Sequence, residues 1–147
     1  MNERFDIFIS YRRDGAEYLA HNLYERLREK GYSVFQDIES LRSGNFNNAL
    51  YDVIATCNDV VLILPPNGLD RCVNEDDWVR KEISFALSSG KNVVPILMPG
   101  FEWPKSLPDD IAAIQQLNGL VSSTAYFNEF IEKLSGFLVS SCNKNKG

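Results

Sequence analysis

The stretch Phe5-Asp6-Ile7-Phe8-Ile9 is an apolar run that breaks at the polar cluster Ser10-Tyr11-Arg12-Arg13-Asp14-Gly15, and from Ala16 the periodicity changes. A short apolar run ending in a loop reads as a buried strand. Beyond it Ala16, Leu19, Ala20, Leu23 and Leu27 share one helical stripe, and Gly31 follows the basic turn Arg28-Glu29-Lys30 as a stop signal. Strand, loop and helix in this order are half of a parallel crossover unit.

The same alternation continues outward. Residues 32–36 read as a second strand, and a polar loop from Asp37 to Asn45 follows. A helix with Phe46, Leu50, Val53, Ile54 and Cys57 on its stripe comes next, which makes Cys57 a core thiol. Val60 to Leu64 has the unbroken apolar character of a strand covered on both faces. Asp76 and Asp77 suit the start of a third helix, with Val79, Ile83, Ala86 and Leu87 as its buried stripe. Asn92 to Leu97 is a fourth strand, and its internal Pro95 predicts an edge position or a local irregularity. A short helical piece at 110–115, a weak strand at 117–121 and a last helix carrying Phe127, Phe130, Ile131, Leu134 and Leu138 complete the chain. The expected fold is α/β: a flavodoxin-like open five-stranded parallel sheet with helices on both faces and right-handed crossovers.

The chain has 147 residues, room for one domain that buries roughly 70% of its unfolded surface. Residues 1–140 are expected to form that domain, with 141–147 a flexible tail or linker stub. Fifteen basic against twenty acidic residues give a net charge of -5, without the basic stripe that nucleic acid demands. Three cysteines without C-x-x-C spacing indicate neither a disulfide framework nor a zinc knuckle, and suit a reducing cytoplasm. No apolar stretch approaches the ~20 residues of a membrane span, and no signal-peptide apolar region opens the chain. The single histidine, His21, falls about 200° around its helix from Leu19, at the ~100° step per residue, and faces solvent.

In an open parallel sheet, ligands sit outside the carboxyl ends of the strands. Those ends offer Ser10, Tyr11, Arg12 and Arg13; then Asp37 and the Gly44 loop; then the segment leading to Trp78 and Glu82; then Trp103. No G-x-G-x-x-G follows the first strand, and Gly90-Lys91 lacks the rest of a P-loop. Leu64-Pro65 stands where a phospho-acceptor aspartate would belong. Trp78 and Glu82, spaced i, i+4, stand one above the other on a helix, about 100° from its buried stripe. By themselves these residues also fit a rim tryptophan beside a solvated glutamate, solubilising arginines and a turn aspartate.

Taken together, the blocks Phe5-Asp6-Ile7-Phe8-Ile9-Ser10-Tyr11-Arg12-Arg13, Val34-Phe35-Gln36-Asp37, Leu41-Arg42-Ser43-Gly44-Asn45-Phe46, Asp77-Trp78-Val79-Arg80-Lys81-Glu82-Ile83, Lys91-Asn92-Val93-Val94-Pro95-Ile96 and Gly100-Phe101-Glu102-Trp103-Pro104 resemble the Toll/interleukin-1 receptor (TIR) domain family. The likeness spans residues 4 to about 139 and is strongest to the NAD-cleaving branch, which includes animal axon-degeneration and bacterial defence proteins. It implies cleavage of the nicotinamide–ribose bond of NAD⁺ to give nicotinamide and ADP-ribose or a cyclic product, with base exchange as a further outcome of the same cleavage, in innate immune or antiviral signalling, with Glu82 as the catalytic carboxylate. Trp78 would stack on the nicotinamide ring. Tyr11, Arg12, Arg13, Asp37, Gly44 and Phe46 would line the same pocket, the arginines facing the pyrophosphate. Phe46 equally suits the core. Trp103, Asn118 and Tyr126 would belong to a neighbouring subunit's face.

The resemblance also implies self-association through the loop from Asp37 to Asn45, contacts with other TIR domains, and no metal or cofactor, NAD⁺ being the substrate. Ser40, Ser122 and Thr124 depart from the pattern of the animal relatives at that loop and in the last-strand region. The alternative function is a non-catalytic TIR adaptor acting by assembly alone.

Overall fold

The computed structural model describes residues 5–36 and 47–140, with 47–49 described by backbone alone. Among these residues five parallel strands, β1 (Ile7–Ser10), β2 (Val34–Gln36), β3 (Asp59–Leu64), β4 (Asn92–Leu97) and β5 (Leu120–Val121), form one sheet in the order β2-β1-β3-β4-β5. The helices are α1 (Arg13–Glu29), α2 (Asn47–Thr56), α3 (Trp78–Ser88) and α4 (Phe127–Phe137), with 3₁₀ turns at Asp70–Val73 and Ala112–Gln116. The expected doubly covered sheet is present, and its order reverses direction between β1 and β3, which creates a switch point there.

Strand alternation sorts the core into two halves. Ile7 and Ile9 face the cluster built with Ala16, Ala20, Leu23 and Leu27 of α1 and Phe130, Ile131 and Leu134 of α4. Phe8 faces the other way, onto Leu50 and Ile54 of α2 and Val79, Ile83 and Ala86 of α3. Ser10 is in phase with Phe8 and lies beside Leu62 of β3. The end of β1 therefore presents a hydroxyl to the α3 side.

Sequence and structure differ in detail. The first helix is broken at Asp14 and Gly15, where Gly15 takes φ 88°, so regular turns run from Ala16 as the stripe predicts. His21 is exposed and Cys57 is buried, as expected. Pro95 does not lie on an edge: β4 sits between β3 and β5. The Asn92 and Met98 amides donate toward β3, to the carbonyls of Asn58 and Leu64. By alternation the Pro95 nitrogen faces β5, which begins pairing only one residue later, at Ile96 and Leu120. The missing donor therefore interrupts no ladder bond, and β5 is cut to two residues.

Candidate active site at the end of the first strand

α3 begins where Asp77 caps it: the aspartate side chain accepts from the Arg80 amide at 3.0 Å. This fixes Trp78 as the first helical residue and Glu82 one turn later. Glu82 has no exposed surface, and Ser10 Oγ donates to its Oε1 at 2.7 Å across 72 residues of sequence. It is thus no solvated rim residue; the helix turns it toward the sheet at the β1/β3 switch point. Trp78 is half-buried, packed against the α2/α3 core, and carries the Lys81 ammonium 5.0 Å from its ring centroid. From α2, Tyr51 packs against Phe85 of α3 with ring centroids 4.9 Å apart and planes tilted by 43°. Burial, then the negative charge of Glu82, raises the Tyr51 hydroxyl pKa.

Arg12 is buried, and its donors are largely committed within the protein. Nη1 and Nη2 each donate to Asp77 at 2.7 Å, Nε donates to the Gly68 carbonyl at 2.6 Å, and Nη2 also reaches Cys72 Sγ at 3.4 Å. Burial opposes the Arg12 charge, but the Asp77 partner outweighs it and raises its pKa. Burial likewise favours a protonated Asp77, yet the hydrogen bonds from Arg12 and the Arg80 amide hold it below the ordinary range. Burial pushes the Cys72 thiol up to about 12, which makes it inert at neutral pH.

The other candidate residues are dispersed. Tyr11, one residue out of phase with Ser10, packs against the α1/α4 core, and its hydroxyl accepts from Gln36 at 3.3 Å. Arg13 is exposed and pairs with Glu17 at 3.7 Å. Trp103 meets Phe101 edge-on at 5.1 Å against the α2/α3 core. Asn118 lines a groove with Val93, Val94 and Phe137, away from Glu82, and Tyr126 is exposed at the start of α4. Asp37, Gly44, Phe46 and the loop from Asp37 to Asn45 lie outside the described residues.

Tyr51 and Lys81 join the candidate site without having been singled out from the sequence, and Ser10, named there only as a strand-end residue, proves to be the partner of Glu82. The signal for Ser10 was available, as a polar residue in phase with buried Phe8; Tyr51 has none beyond its place on α2. Among the described residues, no group of three or more His, Cys, Asp or Glu side chains is placed to hold a metal, and no helix is long and apolar enough to cross a membrane.

A TIR-domain family model matches residues 7–134. The chain is 39% identical over 143 residues to the NAD(+) hydrolase sarm1 of Drosophila melanogaster, covering 94% of this chain and 10% of that protein. It is 41% identical over 138 residues to the NAD(+) hydrolase SARM1 of Danio rerio, covering 90% of this chain and 19% of that protein. Among solved structures, the TIR domain of the Toll-related receptor TRR-2 from Hydra magnipapillata superposes with a TM-score of 0.63 at 18% identity, over 90% of this chain and 95% of that one. The two-sided core, the 2-1-3-4-5 sheet and this match over most of its length agree: the chain belongs to the TIR-domain family.

Proposed function

We propose that this domain is an NAD⁺ glycohydrolase that cleaves the bond between nicotinamide and ribose, releasing nicotinamide and ADP-ribose or a cyclised product. The observation that carries this reading is a carboxylate without exposed surface, Glu82, held 2.7 Å from Ser10 Oγ at the switch point, one turn after the indole of Trp78. The fly and zebrafish relatives are themselves named NAD(+) hydrolases, although this chain spans a small fraction of their length.

A sugar O-glycosidase needs an acid to protonate its leaving oxygen, whereas the pyridinium of NAD⁺ departs as a neutral molecule. As the C–N bond breaks, its electron pair stays on the ring nitrogen and the positive charge moves to the ribose. A buried anion beside that sugar stabilises the developing oxocarbenium charge in a site where water screens little. Ser10 fixes the direction of the Glu82 carboxylate, and Trp78 offers a face to the ring. Water then adds to the ribosyl cation at C1′ and gives up a proton to solvent, or an adenine nitrogen adds its lone pair there in a cyclising variant. This chemistry calls for no cofactor.

The same reading includes self-association through the loop from Asp37 to Asn45, with Trp103, Asn118 and Tyr126 on a neighbouring subunit's face. It includes a cytoplasmic setting, which suits the unbridged Cys57 and Cys72. The test is nicotinamide release from NAD⁺ by concentrated protein, with and without a crowding agent. Glu82→Ala should lose at least ~100-fold, or about 2.7 kcal/mol of barrier stabilisation. Equal turnover by the variant removes Glu82 from its role. No turnover by the unmodified protein at high concentration favours the adaptor.

A further inference from the structure

We propose that Arg12 is a positioning residue which, through Asp77, sets the first turn of α3 and with it the indole of Trp78, and is not a ligand for substrate phosphate. Four hydrogen bonds already occupy its guanidinium: two to Asp77, one to the Gly68 carbonyl and one to Cys72. The Arg12 side chain is 9% exposed, as is that of Asp77. Turning this fork toward an anion would leave the Asp77 carboxylate buried with its charge partner withdrawn, a costly exchange.

What the fork does instead follows from its place. The Asp77 oxygen that receives Arg12 Nη2 also receives the Arg80 amide, so one carboxylate both caps α3 and takes the bidentate ion pair. Two residues earlier on the same strand end, Ser10 holds Glu82. The end of β1 thus grips α3 at two points, its cap and the residue five positions on, and Trp78 lies between them. Two anchors fix both the height and the rotation of that turn against the sheet. Lysine could supply the charge but not the planar fork.

The kinetic part of the test rests on the NAD⁺-cleaving reading; the spectroscopic part does not. Arg12→Lys keeps the charge, and Asp77→Asn keeps an acceptor for the cap. Each single variant is expected to lower kcat for NAD⁺ about tenfold with KM changed less than about twofold, and the double variant should fall no further than the worse single one. In a Trp103→Phe background, where Trp78 is the sole tryptophan, Arg12→Lys should increase acrylamide quenching of its fluorescence while far-ultraviolet circular dichroism keeps its helical signal. A raised KM at unchanged kcat, with effects that add in the double variant, would show a phosphate ligand and overturn the proposal. Unchanged Trp78 quenching would overturn it too. If the unmodified protein releases no nicotinamide, the enzymatic reading fails, and the quenching result alone still decides what Arg12 does.

Discussion

The half-buried indole of Trp78 has a cation on its ring before any substrate arrives: Lys81 Nζ, three residues on and therefore on the same side of α3, lies 5.0 Å from the ring centroid. A pyridinium that stacks on this indole competes with that ammonium for the same electron-rich surface, and a partly exposed cation–π contact is worth ~0.5–1 kcal/mol. Lys81→Gln should therefore lower KM for NAD⁺ by about two- to fivefold, as steady-state kinetics would read it. An unchanged KM would place the ring elsewhere than on Trp78. The pairing of Trp78 with Glu82 was legible from their spacing alone. Their depth was not: whether such a glutamate is solvated or sealed depends on what the sheet offers it, and Ser10 comes from 72 residues away. Arg12 was equally opaque, because an arginine after a strand looks the same in sequence whether it meets a ligand or a buried aspartate.

At the level of elements, the aspartates before Trp78 read correctly as a helix start, since capping is local chemistry. The sequence did not reveal that Asp77 is also the buried partner of Arg12, and that second role governs its titration. Burial favours the protonated acid, but the Arg12 fork and the Arg80 amide outweigh it and hold the folded-state pKa below the ordinary value. A carboxyl with a lowered folded pKa stabilises the fold above its unfolded pKa, ~4, and loses that contribution as pH falls through the folded value. Asp77→Asn should accordingly be less stable than the parent at pH 7 in urea denaturation, with the gap narrowing below about pH 4. A gap independent of pH would mean that the helix cap, and not the ion pair, is what the carboxylate contributes. The strands were legible for the same local reason, down to the β4 boundaries Asn92–Leu97. β5 was overextended because Pro95 acts across the sheet, on a neighbour distant in sequence.

Across the whole molecule, polar ties close the sheet at both ends. At the carboxyl end of β1, Ser10 and Arg12 hold α3. At the opposite end Asp59, the first residue of β3, has no exposed surface and accepts from Asn92 Nδ2 at 2.7 Å, the amides of Val139 and Ser140 at 2.9 and 3.0 Å, and Ser140 Oγ at 2.6 Å. One carboxylate thereby joins β3, β4 and the segment after α4. The Ser140 hydroxyl also reaches the Asp6 carbonyl at 3.2 Å, which brings the lead-in to β1 into the same knot. Hydrogen bonds to a buried charge are each worth ~1.5–3 kcal/mol, while this knot lies at the far end of the strands from Glu82. Asp59→Asn is therefore expected to cost about 2 kcal/mol or more in urea denaturation. Amide exchange at Val139 and Ser140 should speed up, and nicotinamide release at a temperature where the variant stays folded should be unchanged. Undiminished stability would show that these bonds merely replace equal ones to water. A loss of turnover in a fully folded variant would show the two ends of the sheet to be coupled, so that the site depends on more than the β1–α3 contacts that hold its residues.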